Sequence, residues 1–232
     1  MSESTAKPSI YVVIPAFNEA LSVDKVIQEI PLEWVQEIVV VNNNSSDTTS
    51  SVARKAGATV LDEPRQGYGI ACLKGLDYIR PKKPDIVVFL DADYSDFPEE
   101  LPKLVRPILQ DGYDFVIGSR ALGQQEAGSM TPQQIFGNWL ATFLIQLLYG
   151  FKYTDLGPFR AIRWESLEKL HMQDTTYGWT VEMQLKALRH QLKITEIPVN
   201  YRCRIGHSKV SGTLKGTILA GYKILRWVFL YR

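Results

Sequence analysis

The sequence predicts an α/β domain with a mainly parallel central sheet flanked by helices. Three observations point there. Short β-branched runs alternate with segments of helical apolar spacing through the first half of the chain. The runs end in proline, asparagine or aspartate, the residues that turn a chain at a sheet edge. One run, Ile86-Val87-Val88-Phe89-Leu90, delivers Asp91-Ala92-Asp93 to its C-terminal end, the end where ligands bind in open α/β sheets.

The elements follow in order. Residues 10–14 form a strand closed by Pro15, and residues 18–30 carry Leu21, Val23, Val26, Ile27 and Ile30 at helical spacing before Pro31. Residues 37–41 are the second strand. Ser46 or Asp47 caps a helix that ends at Gly57. Residues 58–61 are a short strand, 68–79 a helix and 86–90 the strand that carries the acids. A helix over 98–110 tolerates Pro98 and Pro102 near its start, and residues 114–118 are a further strand. Residues 121–131 have no period and read as a loop. Helices follow at 132–149 and 179–189, with strand signals at 159–162 and 193–201. The partition expected is a frayed terminus over 1–9 without a signal peptide, a domain over 10–212 and an amphipathic helix over 213–232.

Bulk properties narrow the function. The chain has 232 residues, 45% hydrophobic and 22% charged, so it can bury a sizeable core. A formal net charge of +1 gives no case for nucleic-acid binding by bulk attraction. Cys72 and Cys203 are far apart and form no metal-type pair, which reads as two thiols in a reducing compartment. No apolar stretch reaches the length of a membrane span.

Several motifs can carry chemistry. Asp91 and Asp93, one residue apart at a sheet mouth, suit a hard divalent cation holding a diphosphate. Ser95 offers an oxygen nearby and Asp96 a third carboxylate. Glu19 follows Pro15-Ala16-Phe17-Asn18, where it can accept from a base or ribose, or cap a helix with Asn18. In Asn42-Asn43-Asn44-Ser45-Ser46-Asp47, Asn42 and Asn44 are the ligand candidates, and residues 45–47 suit turn and cap chemistry. Gly67 and Gly69 open a helix, so backbone can approach a ligand there, or simply turn. Arg120, Arg160, Arg202, Arg204 and Lys209 are cations unexplained by helix faces, and arginine suits phosphate. Glu182 can be a general base or a favourable charge at a helix start. His207 reads as an incidental loop residue.

Taken in order, Ile14-Pro15-Ala16-Phe17-Asn18-Glu19, Val41-Asn42-Asn43-Asn44-Ser45-Ser46-Asp47, Asp91-Ala92-Asp93, Gly118-Ser119-Arg120, Phe159-Arg160 and Arg204-Ile205-Gly206-His207-Ser208-Lys209 resemble the family 2 glycosyltransferases, and most of all the dolichyl- or polyprenyl-phosphate sugar transferases. The resemblance implies a GT-A type nucleotide-sugar-binding domain. It implies that Pro15, Ala16, Phe17 and Glu19 line the nucleotide pocket and that Asn42 and Asn44 face the base, with Gly69 near the nucleotide. Asp91, Ala92 and Asp93 would meet ribose and diphosphate, and Asp91, Asp93 and Ser95 would hold Mg²⁺ or Mn²⁺. Arg120, Arg160, Arg204 and Lys209 would surround donor and acceptor phosphates. The family usually has aspartate where Asn42 stands and often glutamine where Ser95 stands.

The reaction so implied is inverting transfer of a hexosyl unit from a UDP- or GDP-linked sugar to a polyprenyl phosphate or related lipid. A soluble hydroxyl acceptor needs a base, for which Asp155 and Glu182 are candidates. A non-catalytic nucleotide-sugar binder is the third alternative. Phe136, Trp139, Leu140, Phe143, Leu144 and Leu147 fall on one helical face. Tyr222, Ile224, Leu225, Trp227, Val228 and Phe229 interleave with Lys223, Arg226 and Arg232. Such faces suit peripheral attachment to the cytoplasmic side of a membrane, or packing on the core or on a second subunit of an oligomer.

Overall fold

The structure, a computed structural model, describes residues 7–206 and 214–231. His207, Ser208, Lys209 and Arg232 lie outside the described residues, as does the side chain of Ile224. Seven strands form one sheet in the order β3-β2-β1-β4-β6-β5-β7. They are β1 (Ile10–Ala16), β2 (Glu37–Asn42), β3 (Thr59–Asp62), β4 (Ile86–Phe89), β5 (Phe115–Ser119), β6 (Arg160–Arg163) and β7 (Ile194–Pro198). All pairings are parallel except those of β6, which runs antiparallel between β4 and β5.

Eight helices flank the sheet among the described residues: α1 (Val23–Glu29), α2 (Thr49–Lys55), α3 (Tyr68–Ile79), α4 (Leu101–Gln110), α5 (Pro132–Tyr149), α6 (Trp164–Leu170), α7 (Trp179–Arg189) and α8 (Leu214–Leu230). Side chains alternate across the strands. Tyr11 and Val13 join one core with α3, α5 and α7, while Val12 and Ile14 join the other with α1 and α4. β1 and β4 are buried throughout, which explains their continuous apolar runs.

Two elements differ from expectation. The first helix starts at Val23, because Asn18 takes φ +54° and the chain turns through residue 22. That turn is tied to the loop after β2: Asn18 N donates to Ser45 Oγ at 2.9 Å and Glu19 N to Thr49 Oγ1 at 2.9 Å. The short helix α6 had no separate signal, since its pattern Trp164, Leu167 and Leu170 spans barely two turns.

α5 opens with a capping box at Thr131 and Gln134 and ends at Gly150 with φ +71°. α8 packs against α5 and α7. Val228 is buried, and Tyr149 Oη donates to its carbonyl at 2.7 Å. Trp227 and Tyr231 stack at 5.0 Å and also pack inward. The opposite side leaves Tyr222, Phe229 and Leu230 exposed, and α5 leaves Phe136, Trp139, Phe143 and Leu147 exposed. The aromatic C-terminal segment therefore has a core face and an open face. No helix is long and apolar enough to cross a membrane among the described residues.

Candidate active site

The parallel strands bring the ends of β1, β2, β4 and β5 to one edge of the sheet, and the loop after β7 folds over it. β4 puts Asp91 and Asp93 there. Asp91 Oδ1 accepts from the Tyr68 hydroxyl at 3.0 Å. Asp93 is buried. Its Oδ1 accepts from Ser95 N at 3.0 Å and Ser95 Oγ at 2.5 Å, and its Oδ2 pairs with Arg204 at 3.0 Å. Arg204 also pairs with Glu19 at 3.2 Å, so one guanidinium joins the end of β1, the end of β4 and the C-terminal loop. Ile205 N donates to Asp93 O at 3.0 Å, which fixes that loop to the same turn. The Arg204 Nε is buried with no partner among the described residues.

The acids crowd one another. Burial, and then the charge of Asp93, push the Asp91 carboxyl up to about 7. Asp96 is buried with neither carboxylate oxygen hydrogen-bonded, and burial together with Asp91 and Asp93 holds its carboxyl well above the ordinary range. Such a cluster is relieved by a cation or a proton. No group of three His, Cys, Asp or Glu side chains forms a ready cage among the described residues. A pair of carboxylates completed by substrate phosphates is nevertheless how Mg²⁺ is commonly held. Asp91 and Asp93 fit that role.

Ser95 is tied to one of these aspartates. It is buried, and its hydroxyl donates to Asp93, whose orientation it fixes. Three further candidates are engaged by partners within the chain. Asp155 is no free base: both oxygens accept from Arg120, from Nε at 2.7 Å and Nη2 at 2.7 Å, and the backbone N of Arg120 adds a bond at 2.8 Å. Burial by itself would lower the Arg120 pKa, but Asp155 outweighs it, so the guanidinium is held charged. Arg120 is thus committed to Asp155 and stacks over Tyr201, 5.0 Å from the ring centre.

Arg160 is fully buried and faces carbonyls rather than phosphate. It donates to Gly157 O at 3.1 Å from Nε, to Thr180 O at 3.0 Å from Nη1 and to Leu156 O at 3.3 Å from Nη2. Burial lowers its pKa to about 10. Glu182 is likewise fully buried. It accepts from Gln173 N and Asp174 N, each at 2.8 Å, and pairs with Lys186 at 2.7 Å, so it holds a loop.

Pro15 and Ala16 are buried at the end of β1, Phe17 is half-buried beyond them, and Ala92 is buried between the two aspartates. Asn42 is committed within the chain rather than presented to a base. Its Nδ2 donates to Asp62 at 2.9 Å and its Oδ1 accepts from Ser45 N at 3.1 Å. Asn44 is exposed at φ +62° in the turn. Gly69 approaches protein, not ligand: its N donates to Thr176 O at 3.1 Å, and a Cβ there would sit 1.9 Å from Asp174 O. Tyr68 and Asn43 were not singled out. Asn43 is buried and joins β2 to the 63–67 turn, accepting from Gly67 N at 2.7 Å and donating to Arg65 O at 2.7 Å. A hydroxyl or amide inside a polar turn gives no local sign of its distant partner.

A mainly parallel sheet with paired acids, a bridging arginine and a loop folded over its C-terminal edge is the arrangement in which open α/β proteins bind ligands. The family model for glycosyl transferase family 2 matches residues 11–171. The chain belongs to that family. A dolichyl-phosphate hexose transferase from Haloferax volcanii is 32% identical over 201 residues, covering 86% of this chain and 85% of its own. An undecaprenyl-phosphate mannosyltransferase from Micrococcus luteus is 27% identical over 168 residues, covering 70% and 68%. Among solved structures, glucosyl-3-phosphoglycerate synthase from Mycobacterium tuberculosis, in complex with Mn²⁺, UDP-glucose and phosphoglyceric acid, superposes with a TM-score of 0.78 at 24% identity. That match covers 97% of this chain and 80% of the synthase, and it shows the GT-A-like fold.

Proposed function

We propose that the protein transfers a hexosyl unit, with inversion, from a nucleotide-diphosphate sugar to a polyprenyl phosphate or closely related lipid phosphate. The observation that carries the choice of acceptor is the state of the acids. Asp155 and Glu182 are committed to Arg120 and Lys186, and the oxygens of Asp96 are sealed beneath the site. A hydroxyl acceptor needs a general base to take its proton, and Asp155 and Glu182 are the carboxylates expected to serve. A phosphate acceptor arrives ionised and needs none. The named relatives that act on dolichyl and undecaprenyl phosphate support the same acceptor class.

Asp91 and Asp93 would hold Mg²⁺ or Mn²⁺, which when bound neutralises charge on the departing diphosphate. Arg204, which bridges Glu19 and Asp93 and whose buried Nε has no partner among the described residues, would meet a diphosphate or acceptor oxygen. Pro15, Ala16, Phe17 and Glu19 form the floor beside which a nucleoside would lie. Residues 10–212 make the catalytic domain in this reading, and residues 213–232 extend it towards lipid. The open aromatic face shared by α5 and α8 suits the headgroup layer of the cytoplasmic leaflet.

Incubation with radiolabelled UDP- and GDP-hexoses, Mn²⁺, and either polyprenyl phosphate or polyprenol tests the proposal. Label should enter the organic phase only with the phosphate and should vanish with a chelator. Transfer confined to polyprenol or to soluble alcohols would overturn the acceptor assignment.

A further inference from the structure

The N-terminus of α3 rests on the loop that precedes α7. Gly69 N and Ile70 N donate to Thr176 O at 3.1 Å and Thr175 O at 3.0 Å. A Cβ at Gly67 would lie 2.2 Å from Thr175 O, and one at Gly69 only 1.9 Å from Asp174 O. The two backbones therefore touch with no slack. Tyr68, between those glycines, is the residue whose hydroxyl reaches Asp91 at 3.0 Å.

The supporting loop is held by two buried acids: Glu182, which accepts from Gln173 N and Asp174 N, and Asp174, which ties the loop to α8. Asp174 Oδ1 accepts from Thr176 N at 2.7 Å and Gly178 N at 3.0 Å, which shapes the turn. Asp174 Oδ2 accepts from Trp227 Nε1 at 2.6 Å and Lys223 Nζ at 3.2 Å, both from α8. Gly178 has room only for a hydrogen, because a Cβ there would meet Trp227 Nε1 at 2.3 Å. An unbroken series of contacts thus runs from α8 through Asp174 and the loop to Tyr68 and Asp91. α8 is the helix whose outer side leaves Tyr222, Phe229 and Leu230 exposed.

We infer that Asp174 is a positioning residue for the donor site, and that α8, through Trp227 and Lys223, sets how firmly Tyr68 holds Asp91. The inference rests on Asp91 serving the donor and its cation. Its consequence is regulatory: whatever seats α8 more firmly also orders the carboxylate pair, so cover on the outer face and donor affinity are linked. Linkage of this kind is reciprocal.

The test uses the full chain, with UDP or GDP plus Mn²⁺ as the probe, read by calorimetry, and amide exchange read at Gly69 and Ile70. Trp227→Phe keeps a ring but removes the indole N–H, and Asp174→Asn keeps the shape but removes the charge. Each should weaken nucleotide binding roughly 2- to 30-fold and speed exchange at the two amides. In a Tyr68→Phe background the loss of affinity should disappear while the faster exchange persists. Unchanged affinity in the single variants, or equal losses in both backgrounds, overturns the inference. If Asp91→Asn leaves nucleotide affinity intact, the donor reading fails instead, and the loop's hold on α3 is still judged by exchange at Gly69 and Ile70.

Discussion

Asp91, half-buried beside a like charge, and Asp155, buried against a cation, show how differently two acids behave. The Asp91 carboxyl is raised to about 7 by burial and Asp93. A raised acid binds more protons folded than unfolded, so its contribution to stability falls as pH rises from the ordinary carboxylate range through about 7. Asp91→Asn should therefore gain melting temperature over the native chain at pH 8 without metal, with the gain shrinking towards pH 5. If the proposed function holds, Mn²⁺ plus nucleotide should stabilise the native chain and not this variant. Scanning fluorimetry at the two pH values reads both effects, and a pH-independent difference would remove the like-charge account. Asp155 sits opposite Arg120 in a buried, two-pronged ion pair. Asp155→Asn leaves that guanidinium uncompensated, and urea unfolding should show a loss of about 3–5 kcal/mol. A variant of normal stability that had lost only turnover would restore Asp155 as a base. The Asp91-Ala92-Asp93 signal was legible because its meaning is local: a strand, an edge and two neighbouring acids. The roles of Arg160 and Glu182 were not, because carbonyls of Leu156, Gly157 and Thr180, and amides of residues 173 and 174, come from other parts of the chain.

At the level of elements, β-branched runs ending in turn residues were enough to find β1, β2, β4 and β5, because buried parallel strands have few other ways to be written. Direction was not legible. Residues 159–162 read as a strand, but nothing in Phe159-Arg160-Ala161-Ile162 says that β6 runs against its neighbours β4 and β5. Glycine was similarly ambiguous. Gly69 and Gly137 both lie in helices, yet only Gly69 faces backbone from another element. Gly69→Ala should cost about 1–3 kcal/mol by overpacking and should disturb the start of α3. Gly137→Ala meets nothing within 4 Å, so it should stabilise α5 by about 0.5–1 kcal/mol through helix propensity. Chemical denaturation of the two variants gives the comparison, and opposite signs are the expected result. Equal effects would mean that the contact between α3 and residues 174–175 is loose.

For the whole molecule, the question is what covers the apolar face on α5 and α8. Phe136, Trp139, Phe143 and Leu147 are 60%, 56%, 48% and 67% exposed, and Tyr222, Phe229 and Leu230 are comparably open. Isolated exposed apolar residues need no explanation, but these cluster on the outer faces of two helices that pack together, with Arg226 exposed on α8 as well. An aromatic face with a cation beside it is suited to a layer that is apolar below and anionic above. α5 contacts the core through Ala141 and Ile145, and α8 through Val228, so polar substitutions of the exposed aromatic residues leave the inner packing intact. Trp139→Ser together with Phe143→Ser should therefore spare the melting temperature. Burying a large apolar side chain is worth about 1.5–3 kcal/mol, so each loss should weaken partition onto anionic liposomes by roughly tenfold or more. Flotation measures this, and light scattering in the absence of lipid measures the other way of covering the face. A native chain that floats and scatters as a monomer is the result expected. A dimer that the double substitution splits, with no flotation before or after, would assign the surface to a second copy of the chain and leave the acceptor to reach the site without a membrane-bound enzyme.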